Sequence, residues 1–303
     1  MSPLAATHLV CRSALRYVSF VPTETFSDAT LLLIAHGSTV NAESAVAPLQ
    51  HAAALDQTHW FHDVRVCFWK QPPYIRETLN AINSRRVFAV PLFLSDGYFT
   101  TQIIPRELGL LNGDGRCASS APHRREQTLL YTAPIGTSPR MTDVILARVD
   151  EVLCTAPYVP PFSETSLVLA AHGTNKNSDS RRTAEWHVER IRVMNRFADV
   201  HAVFMEEQPS VRDTTLITCA QNIVVVPFFI SDGLHAREDV PVLLGESDSI
   251  VQQRLHSGEP TFINPTVRDG KHIWYSASIG TAPLVAEVIM DRVREVAGSV
   301  SDQ

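Results

Sequence analysis

The sequence predicts an α/β protein made of two tandem copies of one small, mostly parallel sheet flanked by helices. Three observations predict it. The chain repeats itself, its apolar runs lack the alternation of a strand wetted on one face, and helical stretches lie between those runs. "LLLIAHGSTVN" (31–41) aligns with "LVLAAHGTNKN" (167–177), and "VFAVPLFLSDG" (87–97) with "IVVVPFFISDG" (223–233), both at an offset of 136. "VCFWKQPP" (66–73) answers "VFMEEQPS" (203–210) one residue out of step, and "PIGTSP" (134–139) answers "SIGTAP" (278–283) at an offset of 144.

The elements follow in order. Leu31–Ala35, Val64–Phe68 and Val87–Leu94 are apolar runs bounded by turn residues, as strands covered on both faces require. Between the second-half strands, Ser180–Met194 reads as a helix with Trp186, Ile191 and Met194 on one face. Strands alternating with helices make βαβ units and a parallel sheet. The Pro-rich "APYVPPFS" (156–163) separates a first domain, 29–155, from a second, 164–303, and residues 1–28 form an N-terminal extension.

Composition narrows the function. The 303 residues carry a net charge of -6, which excludes a general nucleic-acid binder held by a basic field. No apolar run reaches the 18 or so residues of a membrane-spanning helix, so no membrane partner is expected. Five scattered cysteines without a CxxC suggest neither a disulfide framework nor a thiolate metal site, and a cytoplasmic location is the simplest expectation.

Ligands of open parallel sheets sit at the carboxyl ends of the strands, where the AHG and SDG turns fall. His172 follows a buried strand and precedes a glycine, so it either faces that crevice or merely hydrogen-bonds its own turn. His235 follows the second SDG turn in the company of Arg237, Glu238 and Asp239. The bland alternative for "HARED" is a solvated helix start with its acids at the positive end of the dipole. Together, two imidazoles and nearby carboxylates bind a borderline divalent ion and offer bases near neutral pH. The first copy has Phe99 where the second has His235, while His36 matches His172. Glu206 and Glu207 stand on the same rim, opposite Trp69 and Lys70 in this alignment, and Lys176, Arg181 and Arg182 follow the AHGT turn.

The AHG(S/T) turns, the segment "VVVPFFISDGLHAREDVPVLLG" and the late "SIGT" turn resemble the class II chelatases, of sirohydrochlorin chelatase type, in an internally duplicated long form. The resemblance covers about residues 30–297 and is denser in the second half. It implies two chelatase-like domains and insertion of a divalent metal into sirohydrochlorin or a related tetrapyrrole, in cobalamin or siroheme biosynthesis. Carried over by position, His172 and His235 are the metal-binding and catalytic histidines, with Glu238 as a secondary proton acceptor or orienting group. Arg237, Lys176 and Arg181 are the expected anchors for substrate carboxylates. The metal, as substrate, is cobalt, iron or nickel, and no organic cofactor is expected. The duplication makes a monomer plausible, with a tetrapyrrole as the small-molecule partner. Two rivals stand beside this reading: a non-catalytic metal or tetrapyrrole carrier, and a hydrolase using Ser38 or Thr174 beside the adjacent histidine, which lacks a GxSxG elbow.

Overall fold

The computed structural model describes residues 25–111, 120–124, 127–173 and 178–300. The N-terminal lobe runs β1 (Phe26–Ala35), α1 (Val46–Asp56), β2 (Phe61–Phe68), α2 (Ile75–Asn80), β3 (Arg86–Pro91), α3 (Ile104–Leu108), β4 (Ser120–Arg124), β5 (Gln127–Tyr131) and α4 (Met141–Cys154). The C-terminal lobe repeats it: β6 (Thr165–Ala171), α5 (Asp179–Arg192), β7 (Asp199–Phe204), α6 (Thr214–Ile217), β8 (Asn222–Pro227), α7 (Val240–Leu243), α8 (Asp248–Ser257), β9 (Thr266–Arg268), β10 (Lys271–Tyr275) and α9 (Val285–Val300). The strand orders are β2-β1-β3-β5-β4 and β7-β6-β8-β10-β9. Only the outer hairpin strands β4 and β9 run antiparallel, so both sheets are mostly parallel as expected.

The apolar runs become strands because both faces are covered. Every residue of β6 is buried, and so is β1 from Ala29 to Ala35. One hydrophobic core joins the lobes: Leu31, Leu33 and Val149 of the first belong to the same cluster as Leu169, Val224 and Val288 of the second. Along α5 the buried face is Thr183, Ala184, His187, Val188 and Ile191. This corrects the expected face: Ile191 is on it, but Trp186 and Met194 are each 40% exposed, and Met194 lies beyond the helix end. A 3.6-residue period carries Trp186 off the Ala184–Ile191 stripe, where Arg190 covers its ring at 5.0 Å.

The two IGT turns owe their glycine to contact rather than chemistry. Gly136 and Gly280 donate their N–H groups to Phe93 O and Phe229 O, each at 2.9 Å. A Cβ on Gly280 would sit 2.1 Å from Ile230 O, and one on Gly136 2.2 Å from Leu94 O. Backbone cannot retreat from backbone there, so Gly280→Ala should cost at least ~3 kcal/mol, read as a lowered urea midpoint. A midpoint within experimental error of the parent would contradict this packing.

Each turn is also gripped by the opposite lobe. His51 on α1 donates Nε2–H to Gly280 O (2.7 Å), and His187 on α5 donates Nε2–H to Gly136 O (2.8 Å). Arg148 on α4 donates to Ser278 O (3.1 Å) and Thr281 Oγ1 (2.5 Å). Arg292 on α9 donates to Pro134 O (2.9 Å) and Thr137 Oγ1 (2.7 Å). All four side chains are buried. Burial lowers the pKa of His51 and holds that of His187 at about 4, so both are neutral donors. Of the described cysteines, Cys67 and Cys219 are free while Cys154 is disulfide-bonded, a departure from the expectation of no disulfides. Among the described residues no helix is long and apolar enough to cross a membrane.

Candidate metal centre

In each sheet the chain moves outward to opposite sides from one neighbouring pair, β1 and β3 or β6 and β8. A crevice opens at the carboxyl ends of such a pair. His172 follows the last residue of β6, and His235 begins the helical turn after β8. Their rings meet at a centroid distance of 4.9 Å and an angle of 88°. Their side chains are 40% and 50% exposed, so both are reachable from solvent.

Local sequence explains both placements. Gly173 has φ of +67°, and a Cβ there would lie 2.8 Å from Phe204 Cβ; only glycine gives the AHG turn both its left-handed backbone and its close approach to β7. His235–Asp239 forms a π-helical turn that ends in Val240 N–H donating to His235 O, followed by Pro241 in the first turn of α7. Such turns occur often at functional sites. Buried Tyr275 pins this one by donating its hydroxyl to Ala236 O at 2.6 Å. Burial pushes the Tyr275 pKa well above its usual value, so the donor keeps its proton.

The ring nitrogens are assigned by their partners. His172 Nδ1 is 2.7 Å from Gly173 O, and His235 Nδ1 is 2.6 Å from Asp239 Oδ2. Both partners are acceptors, so each neutral ring carries its proton on Nδ1 and keeps the Nε2 lone pair free. A carbonyl and a carboxylate behind the ring are the usual outer partners of metal-binding imidazoles. Glu206 Oε1 stands 3.8 Å from His172 Nδ1, and Glu206 is more than half exposed. Among the described residues no group of three or more His, Cys, Asp or Glu forms a metal cage. Two nitrogens with open positions suit an ion that is handed on rather than held for structure.

The N-terminal lobe keeps the frame and loses a ligand. His36 Nδ1 donates to Gly37 O (2.9 Å), as in the other lobe, but its ring neighbour is Phe99, 4.9 Å away at 74°. Trp69 closes over both, 5.6 Å from His36 and 5.0 Å from Phe99.

Several expectations need revision. The carboxylate on His235 belongs to Asp239, because five residues per π-turn bring position i+4 alongside; Glu238 instead accepts from Gln252 Nε2 (2.5 Å) on α8. Arg181 is committed to Glu185 and Glu207, both at 2.9 Å, and lies over the Phe204 ring. Arg237 has no carboxylate partner among the described residues, and Lys176 and Thr174 lie outside them. Ser38 Oγ accepts from the N–H groups of Val40 and Asn41, which makes it a turn-holder and weakens the hydrolase rival. The third repeat segment is in step after all. Trp69 and Met205 both donate to the last strand residue, Ala35 or Ala171, and Phe68 and Phe204 donate to Pro73 and Pro209. Lys70 therefore matches Glu206, and Gln71 matches Glu207. Sequence reasoning missed Asp239 as the partner of His235, although the HxxxD spacing was visible.

With this geometry in view, the CbiX family model matches residues 30–152 and again 166–296. The chain belongs to the CbiX family. A probable sirohydrochlorin cobaltochelatase of Halobacterium salinarum is 36% identical over 90% of this chain and 93% of its own. A sirohydrochlorin cobaltochelatase of Methanopyrus kandleri is 30% identical over 44% of this chain and 97% of its own, so that CbiX relative is about one repeat long. Among solved structures, a multi-domain Deinococcus radiodurans protein with structural similarity to chelatases superposes with a TM-score of 0.68 at 28% identity. It covers 87% of this CbiX-family chain, which spans about half (54%) of its length.

Proposed function

We propose that this CbiX-family chain is a metal chelatase that inserts a divalent ion, cobalt or iron, into sirohydrochlorin at the crevice of its C-terminal lobe. The observation that carries the reading is the His172–His235 pair, with both Nδ1 atoms anchored and both Nε2 lone pairs free. One ion about 2 Å from each nitrogen fits rings at this separation. Insertion replaces two pyrrole N–H protons by one dication, so two protons must leave. Asp239 takes up positive charge through His235, and Glu206 stands beside His172 for the same purpose. Glu238, held by Gln252, keeps at most a supporting place behind the π-helical turn.

The substrate's carboxylates need cations in a chain of net charge -6, and Arg237 beside the centre meets that need, with Lys176 as a second proposed anchor. Arg181 instead braces the rim under Glu207. A duplicated chain supplies both walls of the crevice by itself, which supports a monomer, and the reading places it in the cytoplasm. The rival carrier binds the same ligands without releasing product. Anaerobic incubation of sirohydrochlorin and Co(II) with a fiftieth as much protein, followed by absorbance, separates them. The expected result is complete conversion, whereas conversion stopping at one equivalent would overturn the enzyme reading.

A further inference from the structure

The two lobes differ in a second place besides His235 and Phe99. In the C-terminal lobe Asp232, of the SDG turn, accepts from Ser278 N–H at 2.7 Å (Oδ1) and from Thr281 Oγ1 at 3.3 Å (Oδ2). Ser278 also donates its hydroxyl to Ser231 O at 3.1 Å. The matching residue of the N-terminal lobe is Pro134, which has no N–H, and Asp96 accepts no such bond among the described residues. The backbones are otherwise alike, with φ and ψ of -60° and 146° at Ser278 against -65° and 149° at Pro134.

The turn that clasps Asp232 is the one that Arg148 and His51 hold from the N-terminal lobe. Asn41, from that same lobe, leans on the other side of the SDG turn: its Nδ2 lies 3.2 Å from where a Cβ on Gly233 would be. His235 begins only three residues after Asp232. Arg148 therefore touches Ser278 and Thr281, those two touch Asp232, and Asp232 fixes the strand exit that aims His235.

We propose that Asp232 and Arg148 are positioning residues for the metal centre, so that the lobe without a complete site sets the geometry of the other lobe's histidine. This inference rests on the chelatase reading of His235. It assigns a use to the N-terminal lobe beyond forming a wall.

The test uses the full chain and the repeat as its own control. Ser278→Pro copies what the N-terminal lobe already carries and removes the bonds to Asp232, and Pro134→Ser is the reciprocal change. Cobalt insertion into sirohydrochlorin by Ser278→Pro should show kcat reduced tenfold to a hundredfold, the order expected for a ligand displaced by a fraction of an ångström to 1 Å. KM for sirohydrochlorin should stay unchanged, and Pro134→Ser should match the parent. Arg148→Ala and Arg292→Ala form a second pair, because each deletes the same grip from opposite sides. Their melting temperatures should fall alike, while kcat falls for Arg148→Ala alone. A parental kcat in Ser278→Pro, or equal kcat losses within the arginine pair, overturns the proposal. His235→Ala is assayed alongside: if it turns over normally, the reading of the site has failed, and if it is inactive while the pairs behave alike, only this inference has.

Discussion

The His235→Ala protein is expected to insert cobalt at least a hundredfold more slowly than the parent, while melting within a few degrees of it. The size of the loss follows from what the imidazole does. It supplies one of two nitrogen donors to the ion, and with Asp239 behind it one of the bases that receive pyrrole protons; positioned proton transfer alone is worth roughly 100- to 10,000-fold. The small effect on folding follows from its place. Half of the side chain is in solvent, and the π-helical turn is held by Tyr275 and Val240, whose bonds go to backbone carbonyls and survive the substitution. Asp239→Asn should act in the same direction but more weakly, because the amide still accepts from Nδ1 and loses only the charge that favours an imidazolium. Steady-state insertion kinetics with circular-dichroism melts check both; an Asp239→Asn rate below that of His235→Ala would mean the carboxylate, rather than the ring, meets the ion.

The second large effect is on stability. His187 lies wholly buried between the lobes, donating to Gly136 O and accepting from Thr142 Oγ1 (2.9 Å), with Arg190 facing it and Phe228 and Trp186 against its ring. Its pKa is held at about 4 by burial first, so its folded value lies below an unfolded value near 6.5. The unfolded chain then binds the extra proton between those values. The stabilising contribution of the neutral ring is complete above about pH 6.5 and disappears as pH falls through 4. At ~1.4 kcal/mol per pH unit, the gap between 6.5 and about 4 is worth roughly 3 kcal/mol. His51, on the opposite side of the interface and facing Arg148, shifts in the same direction. Carboxylates also titrate there, so the informative quantity is a difference. The stability gap between the parent and His187→Gln should be widest at pH 7.5 and should narrow steadily toward pH 4.5. A gap independent of pH would contradict a neutral buried donor at this interface.

The fold was legible because burial on both faces of a parallel strand writes itself as an unbroken apolar run, and because duplication showed each run twice. The positions of His172 and His235 were legible for a related reason: a strand that ends at a switch point delivers the next residue to the crevice. What could not be read was register beyond the strands. An α-helical period makes Glu238 and Asp239 equally plausible neighbours of His235, and only the π-turn decides for Asp239. Aligning the third segment on its Gln-Pro pairs shifted it by one, since residue identity there disagrees with the backbone bonds that define equivalence. Arg181 reads as a free cation until the fold brings Glu207 to it. The grips between lobes were a missed signal rather than an absent one. His51 and His187 stand at the offset of the AHG turns, and Arg148 and Arg292 at the offset of the IGT turns, yet each contacts the other copy, which no comparison of one copy with the other reveals.

The central claim is that one of two similar crevices does the chemistry, and the paired histidines of the AHG turns test it most directly. Rates of Co(II) insertion into sirohydrochlorin by His36→Ala and His172→Ala, measured side by side under anaerobic conditions, give the answer. The His36 variant should keep the parental rate and the His172 variant should fall to the uncatalysed background. Equal losses, or a loss confined to His36→Ala, would contradict the account.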